Sequence, residues 1–273
     1  MRSLLVGLVV ALCFAVPASA ETPVPVQRSW KVDGVERLAL IYIPTAAGTE
    51  KSPLIFAFHG HGGNMHYAAR KFNYHTLWPE AIVVYMQGLP TPGALTDPQG
   101  LRNGWQSAAG THGDRDLKFF DAVLASLQHE VKVDDKRIFA TGHSNGGAFT
   151  YLLWAERGGT FAAVAPCAAI AARSQPKLKP KPVMHVAGEN DPLVRYAWQQ
   201  RTMDALKKLN GCDATGKEWA KSGSTTCTVY SSKSGPPVVT AIYPGAHNLP
   251  DEASALIVKF FKEQGAKKPI DSK

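Results

Sequence analysis

The sequence predicts an α/β fold in which a mostly parallel sheet is covered by helices on both faces, and three observations lead there. Short runs of mostly apolar residues recur at 54–58, 82–86, 138–141, 161–166, 182–187 and 238–243. Several of the segments between them carry apolar residues at helical spacing, the pattern of buried strands joined by crossover helices. The 273 residues are 45% hydrophobic and 19% charged, an ordinary globular composition with enough chain to bury a core. Disordered, collagen-like and coiled-coil classes are excluded.

The elements follow in chain order. Residues 1–20 place Arg2 before an apolar stretch, then Pro17 and the small triplet Ala18-Ser19-Ala20. That pattern predicts an export signal cleaved after Ala20, too short at its core for an ordinary membrane span. Leu12 stands where a lipidated Cys13 would need a small residue before it. Asp33-Gly34 between runs 30–32 and 38–43 predicts a hairpin. The run 54–58 leads into a Gly-rich loop, and 82–86 into a Gly- and Pro-rich excursion, 87–113. Leu117, Phe120, Val123, Leu124 and Leu127 mark a helix over 114–131. Strand 138–141 precedes a helix over 145–157; strands at 161–166 and 182–187 follow, then a helix at 198–209, a strand at 238–243 and a closing helix at 252–264. Segment 174–182 reads as a surface loop, and no stretch long enough for a large helical lid separates 161 from 182. A single domain, 21–273, is the expected organisation.

Thirty Lys and Arg against 22 Asp and Glu give a formal net charge of +8, which falls to +7 once Arg2 is removed. No basic-aromatic motif accompanies this excess, so a nucleic-acid partner is not expected. No membrane span is expected either, and a monomer is. The four cysteines are too few for a disulfide scaffold and too scattered for a zinc site. Export permits disulfides. Cys212 and Cys227 bracket a Gly-, Ser-, Thr- and Lys-rich stretch and are expected to pair, worth about 3 kcal/mol by loop-closure entropy. Cys167, within the apolar run 161–170, is expected to be a buried free thiol.

The chemistry concentrates at Gly142-His143-Ser144-Asn145-Gly146, directly after a strand and directly before a helix. This is G-x-S-x-G in the context of a nucleophile elbow: the glycines permit a strained turn that lifts the Ser144 hydroxyl clear of the backbone. A serine nucleophile needs a base, and the base needs a carboxylate to hold its tautomer. In an α/β-hydrolase fold the chain order is Ser, acid, His. Of the two histidines downstream, His185 lies within a strand, whereas His247 lies in the loop before the last helix and is the expected base. Asp191, in the turn after strand 182–187, is the expected acid, with Glu189 as the alternative. The oxyanion hole is assigned to the N–H groups of Asn145 and of His61, the latter in Phe58-His59-Gly60-His61-Gly62-Gly63-Asn64. A metal site on His59, His61 and His66 lacks nearby carboxylates, and no cofactor or metal is expected. Leu89, Leu95 and Trp105 in the excursion, with Tyr196 and Trp198 after Asp191, are candidates to touch substrate.

With these motifs, and with Phe161-Ala162-Ala163-Val164-Ala165-Pro166 and Gly188-Glu189-Asn190-Asp191-Pro192, the chain resembles the secreted polyhydroxybutyrate depolymerase/feruloyl esterase-type α/β-hydrolases. The resemblance spans residues 32–264. It implies ester hydrolysis through an acyl-enzyme without a metal, with the catalytic roles on Ser144, Asp191 and His247. This chain lacks the Trp that family members often carry after the histidine, and it has His61 where depolymerase-like members frequently have Cys. A polymer-binding domain and Thr-rich linker are not seen. The expected activity is therefore hydrolysis of soluble or polymer-attached feruloyl or short hydroxyalkanoate esters. A serine peptidase on the same fold and an acetylxylan-type deacetylase are the alternatives.

Overall fold

The computed structural model describes residues 24–233 and 235–266; the expected export signal and the polar tail 267–273 lie outside the described residues. Strand β1 (Val26–Val32) turns at Asp33 and Gly34, both with positive φ, into β2 (Val35–Tyr42). This is the hairpin the Asp-Gly pair predicts, in register from Val32↔Val35 to Val26↔Ile41. All seven residues of β3 (Ser52–Phe58) are buried, as are all five of β4 (Ile82–Met86). Between them run α1 (Met65–Phe72), whose first turn is capped by the Asn64 side chain accepting from the Tyr67 N–H, and the short α2 (Tyr74–Leu77).

The excursion carries a two-residue ladder of β5 (Leu89–Pro90) with β6 (Asn103–Gly104). Helix α3 (Arg115–Glu130) then buries Leu117, Phe120, Val123 and Leu127 as its spacing predicts. Next come β7 (Val133–His143), α4 (Asn145–Arg157), β8 (Ala163–Cys167), β9 (Val183–Gly188) and α5 (Tyr196–Leu209). The chain ends through β10 (Lys217–Ser222), β11 (Thr225–Tyr230), β12 (Val238–Tyr243) and α6 (Ala253–Gly265).

Ten strands form one sheet in the order β1-β2-β4-β3-β7-β8-β9-β12-β11-β10, parallel from β4 to β12 and antiparallel toward both edges. One face packs against α3, α4 and α5, the other against α1, α2 and α6. The strand order reverses between β3 and β7, so the loops leaving their carboxyl ends diverge and open a crevice. Phe58-His59-Gly60 and His143-Ser144 stand at that point.

The strands β10 and β11 correct the reading of 212–227 as a clipped loop. Thr225 and Cys227 are buried between exposed or half-exposed neighbours, and this weak alternation sits among residues that also favour loops. The expected Cys212–Cys227 disulfide is absent: Cys167, Cys212 and Cys227 are all free thiols. Cys227 points into the face covered by α6, whereas Cys212, just past the end of α5, packs on the opposite face. The sheet itself lies between the two sulfurs.

Candidate active site

The turn from β7 to α4 places Ser144 at φ 57° and ψ −118°, a strained conformation for a residue with a Cβ. Close packing leaves no choice of neighbours. A Cβ on Gly142 would lie 2.5 Å from the backbone of Gly146, and one on Gly146 would lie 2.3 Å from the Phe58 carbonyl oxygen. Ser144 occupies the N-cap position of α4 without capping it, because its hydroxyl is turned to His247 instead. The N–H groups of the first helical turn thus remain available to an anion, at the positive end of the helix dipole.

Three loops at the carboxyl end of the sheet assemble Ser144, His247 and Asp191. Ser144 Oγ lies 2.7 Å from His247 Nε2, and His247 Nδ1 lies 2.7 Å from Asp191 Oδ2. Asp191, not Glu189, meets the imidazole; its Oδ1 accepts from the N–H groups of Leu193 and Val194, both at 2.9 Å. The loops of Asp191 and His247 are zipped together, since Glu189 N–H donates to Tyr243 O and Asn190 N–H to Gly245 O. The Tyr243 hydroxyl bonds to the carbonyls on either side of His247, those of Ala246 and Asn248. His143, whose ring centroid lies 5.0 Å from that of His247, is pushed down to about 4 by burial and, next, by His247. At neutral pH it therefore adds no second positive charge beside an imidazolium on His247.

His61, Ser144, Asn145 and His247 line a cavity of about 270 Å³ whose other walls include Leu95, Ala148, Ile170, Leu193, Val194 and Trp198. No Asp, Glu, Lys or Arg is among the lining residues. The loop carrying His61 is fixed by Gly62 N–H to Asn103 O and by Gly63 N–H to Gly60 O. His61 Nε2 also bonds Asp97 Oδ2 at 3.0 Å, and Asp97 is held down at about 2 by that bond and by the N–H groups of Arg102 and Leu101. The excursion is thereby pinned as a wall of the cavity. A second, open groove shares Ile170 and Trp198 with the cavity and adds Gln175, Arg201 and Thr202.

Two substrate-contact expectations are corrected. Trp105 is fully buried, stacked on Phe149 with its indole N–H on the His59 carbonyl, and packs in the core rather than facing the cavity. Tyr196 does not line the cavity, because residues two apart on a helix point to opposite sides and Trp198 takes the inward position. Leu95 lines the cavity; Leu89 does not. His59 spends both ring nitrogens on the backbone, donating to Gly60 O and accepting from Gly88 N–H. Among the described residues no group of three or more His, Cys, Asp or Glu is placed to hold a metal ion. Sequence reasoning missed Asp97, Gln199, Tyr243 and the Asn145 side chain: Asp97 and Asn145 find partners 36 and 40 residues away, and Gln199 and Tyr243 gain theirs only through the folding of a helix and a loop.

No family model matches the sequence. A feruloyl esterase C from Emericella nidulans is 30% identical over 199 residues, covering 71% of this chain and 70% of that protein. Among solved structures, a ferulic acid esterase from Anaeromyces mucronatus in complex with ferulic acid superposes with a TM-score of 0.61 at 13% identity, covering 91% of this chain and 93% of that one. An acetyl xylan esterase from Aspergillus awamori gives a TM-score of 0.60 at 13% identity, covering 87% and 99%. These two likenesses establish the fold, a central mostly parallel α/β-hydrolase sheet, and no large helical lid stands among the described residues.

Proposed function

The chain belongs to the feruloyl esterase family, and from that premise we propose that it is an exported serine carboxylesterase that cleaves phenolic acyl groups from the hydroxyls of sugars. The observation that carries this reading is the continuous pair of 2.7 Å contacts from Ser144 through His247 to Asp191 at the floor of an uncharged cavity.

In this mechanism His247 Nε2 takes the Ser144 proton as Oγ attacks the ester carbonyl. Asp191 holds the Nδ1–H tautomer and stabilises the imidazolium that forms. The oxyanion is received by the N–H groups of Asn145 and His61. Collapse breaks the bond to the alcohol, which leaves with the proton from His247, and a water deprotonated by His247 then releases the acid and restores Ser144. A cavity with apolar walls and a Trp face suits a neutral aromatic acyl group better than a charged peptide side chain. The groove beyond Trp198, with Gln175, Arg201 and Thr202, offers hydrogen bonds to the hydroxyls of the sugar. Short hydroxyalkanoate and acetyl esters are the competing substrates. Residues 21–273 form the catalytic domain in this reading, and 1–20 direct export; among the described residues no helix is long and apolar enough to cross a membrane.

The test compares methyl ferulate, acetylated xylan and 3-hydroxybutyrate oligomers. Methyl ferulate should give the highest kcat/KM, and Ser144→Ala should lower turnover at least about 10⁴-fold. Preference for either rival substrate would replace the acyl assignment, and an active Ser144→Ala enzyme would remove the mechanism.

A further inference from the structure

The chain of hydrogen bonds behind the nucleophile does not stop at the carboxylate. Asp191 Oδ2 also accepts from Gln199 Nε2 at 3.2 Å; Gln199 Oε1 lies 3.2 Å from His185 Nε2, and His185 Nδ1 lies 2.7 Å from the Tyr151 hydroxyl. Tyr151, His185 and Gln199 are each fully buried. They come from α4, β9 and α5. We propose that Tyr151, His185 and Gln199 form a positioning chain that fixes the orientation of the Asp191 carboxylate and so of His247. The inference rests on the triad reading above.

Donor and acceptor roles along this chain have one self-consistent assignment. Gln199 Nε2 donates to the Val194 carbonyl at 2.6 Å, so the amide nitrogen faces Asp191 and the amide oxygen faces His185. His185 must then carry its proton on Nε2, which leaves Nδ1 to accept from the Tyr151 hydroxyl. Burial pushes His185 down to about 4, so this neutral tautomer persists at neutral pH. Both constraints on the Gln199 amide nitrogen, the Val194 carbonyl and the Asp191 carboxylate, can only accept, and they select the same orientation. A buried polar cluster that served only the core would not need its last donor aimed at the acid. The other titratable groups facing the Asp191–His247 pair are His143 at the end of β7 and Tyr243 on β12, with Lys71 of α1 acting on His143 from further away.

Gln199→Leu removes the donor at nearly constant volume, and Tyr151→Phe removes only the hydroxyl that donates to His185 Nδ1. Both are assayed on a soluble p-nitrophenyl ester, with active sites counted by the burst. Gln199→Leu should lower kcat per active site about 10- to 100-fold with KM within about two-fold. Its acid limb of kcat/KM should move to higher pH, because a carboxylate that has lost an N–H donor holds the imidazolium more strongly. Tyr151→Phe should move both in the same direction by less. Wild-type kcat with an unmoved acid limb in the folded variants would overturn the proposal, and Tyr151→Phe decides alone should Gln199→Leu fail to fold. An active Ser144→Ala control would instead overturn the triad reading.

Discussion

The side-chain amide of Asn145 clasps the backbone of Trp105 from both sides, accepting its N–H at 2.7 Å and donating to its carbonyl at 3.2 Å. The residue whose backbone N–H is assigned to the oxyanion thus also ties the cavity wall to the nucleophile turn. Asn145→Ala keeps the backbone donor and loses the clasp. Two lost bonds of about 1 kcal/mol each should lower Tm by roughly 4–8 °C in a chain of this size. kcat/KM should fall about ten-fold while the burst amplitude stays at one per chain. Unchanged Tm and kinetics would show that the wall is held by its other anchors alone, including the Gln106 side chain bonded to the N–H of Asp116 and the Asp116 carboxylate in turn to Arg37.

Trp198 and Arg201 should separate the two halves of the substrate. Trp198→Ala removes an aromatic face from the cavity and should raise KM for methyl ferulate about ten-fold, with little effect on p-nitrophenyl acetate. Arg201 lines only the outer groove. Arg201→Ala should leave methyl ferulate unchanged and weaken hydrolysis of feruloylated oligosaccharides. Equal losses on every ester would mean that both changes act through the fold.

The nucleophile turn was legible because its requirements are local: two glycines, a strand before and a helix after, all within a few residues. Asp191 and His247 could be placed because chain order restricts where acid and base can stand. The disulfide was misread because spacing says nothing about which face of a sheet a side chain takes, and a shift of one residue reverses that face. Trp105 was misread because a glycine-rich stretch looks like surface, yet this one is pulled under by Phe58, Phe149 and the His59 carbonyl. Gln199 could not have been found at all, since an internal helical glutamine acquires its meaning only from His185 and Asp191.

The free thiols make a direct chemical prediction. Unreduced protein lacking residues 1–20 should titrate three thiols in denaturant, and reduction should not change its mass. In the native state all three should react slowly with a thiol reagent at neutral pH. Burial pushes Cys167 up to about 12 and Cys227 up to about 11, and it raises Cys212 as well. A single titratable thiol would restore the bridge and require β10 and β11 to be rearranged.

Stability should fall on mild acidification, before any carboxylate is neutralised. His59 and His185 are buried, and burial pushes each down to about 4, against an ordinary value of 6.5 in the unfolded chain. Between those values the unfolded state binds a proton at each site and the folded state does not. Folding stability from these groups is therefore complete above about pH 6.5 and is lost as pH falls toward 4, at up to about 1.4 kcal/mol per pH unit for each histidine. Urea unfolding at pH 7 and pH 5 should give a lower midpoint at pH 5 with an unchanged slope. His185→Gln, although less stable at pH 7, should lose less between the two. If the variant and the parent lose equally, the acid sensitivity lies elsewhere and His185 is not held neutral by the fold.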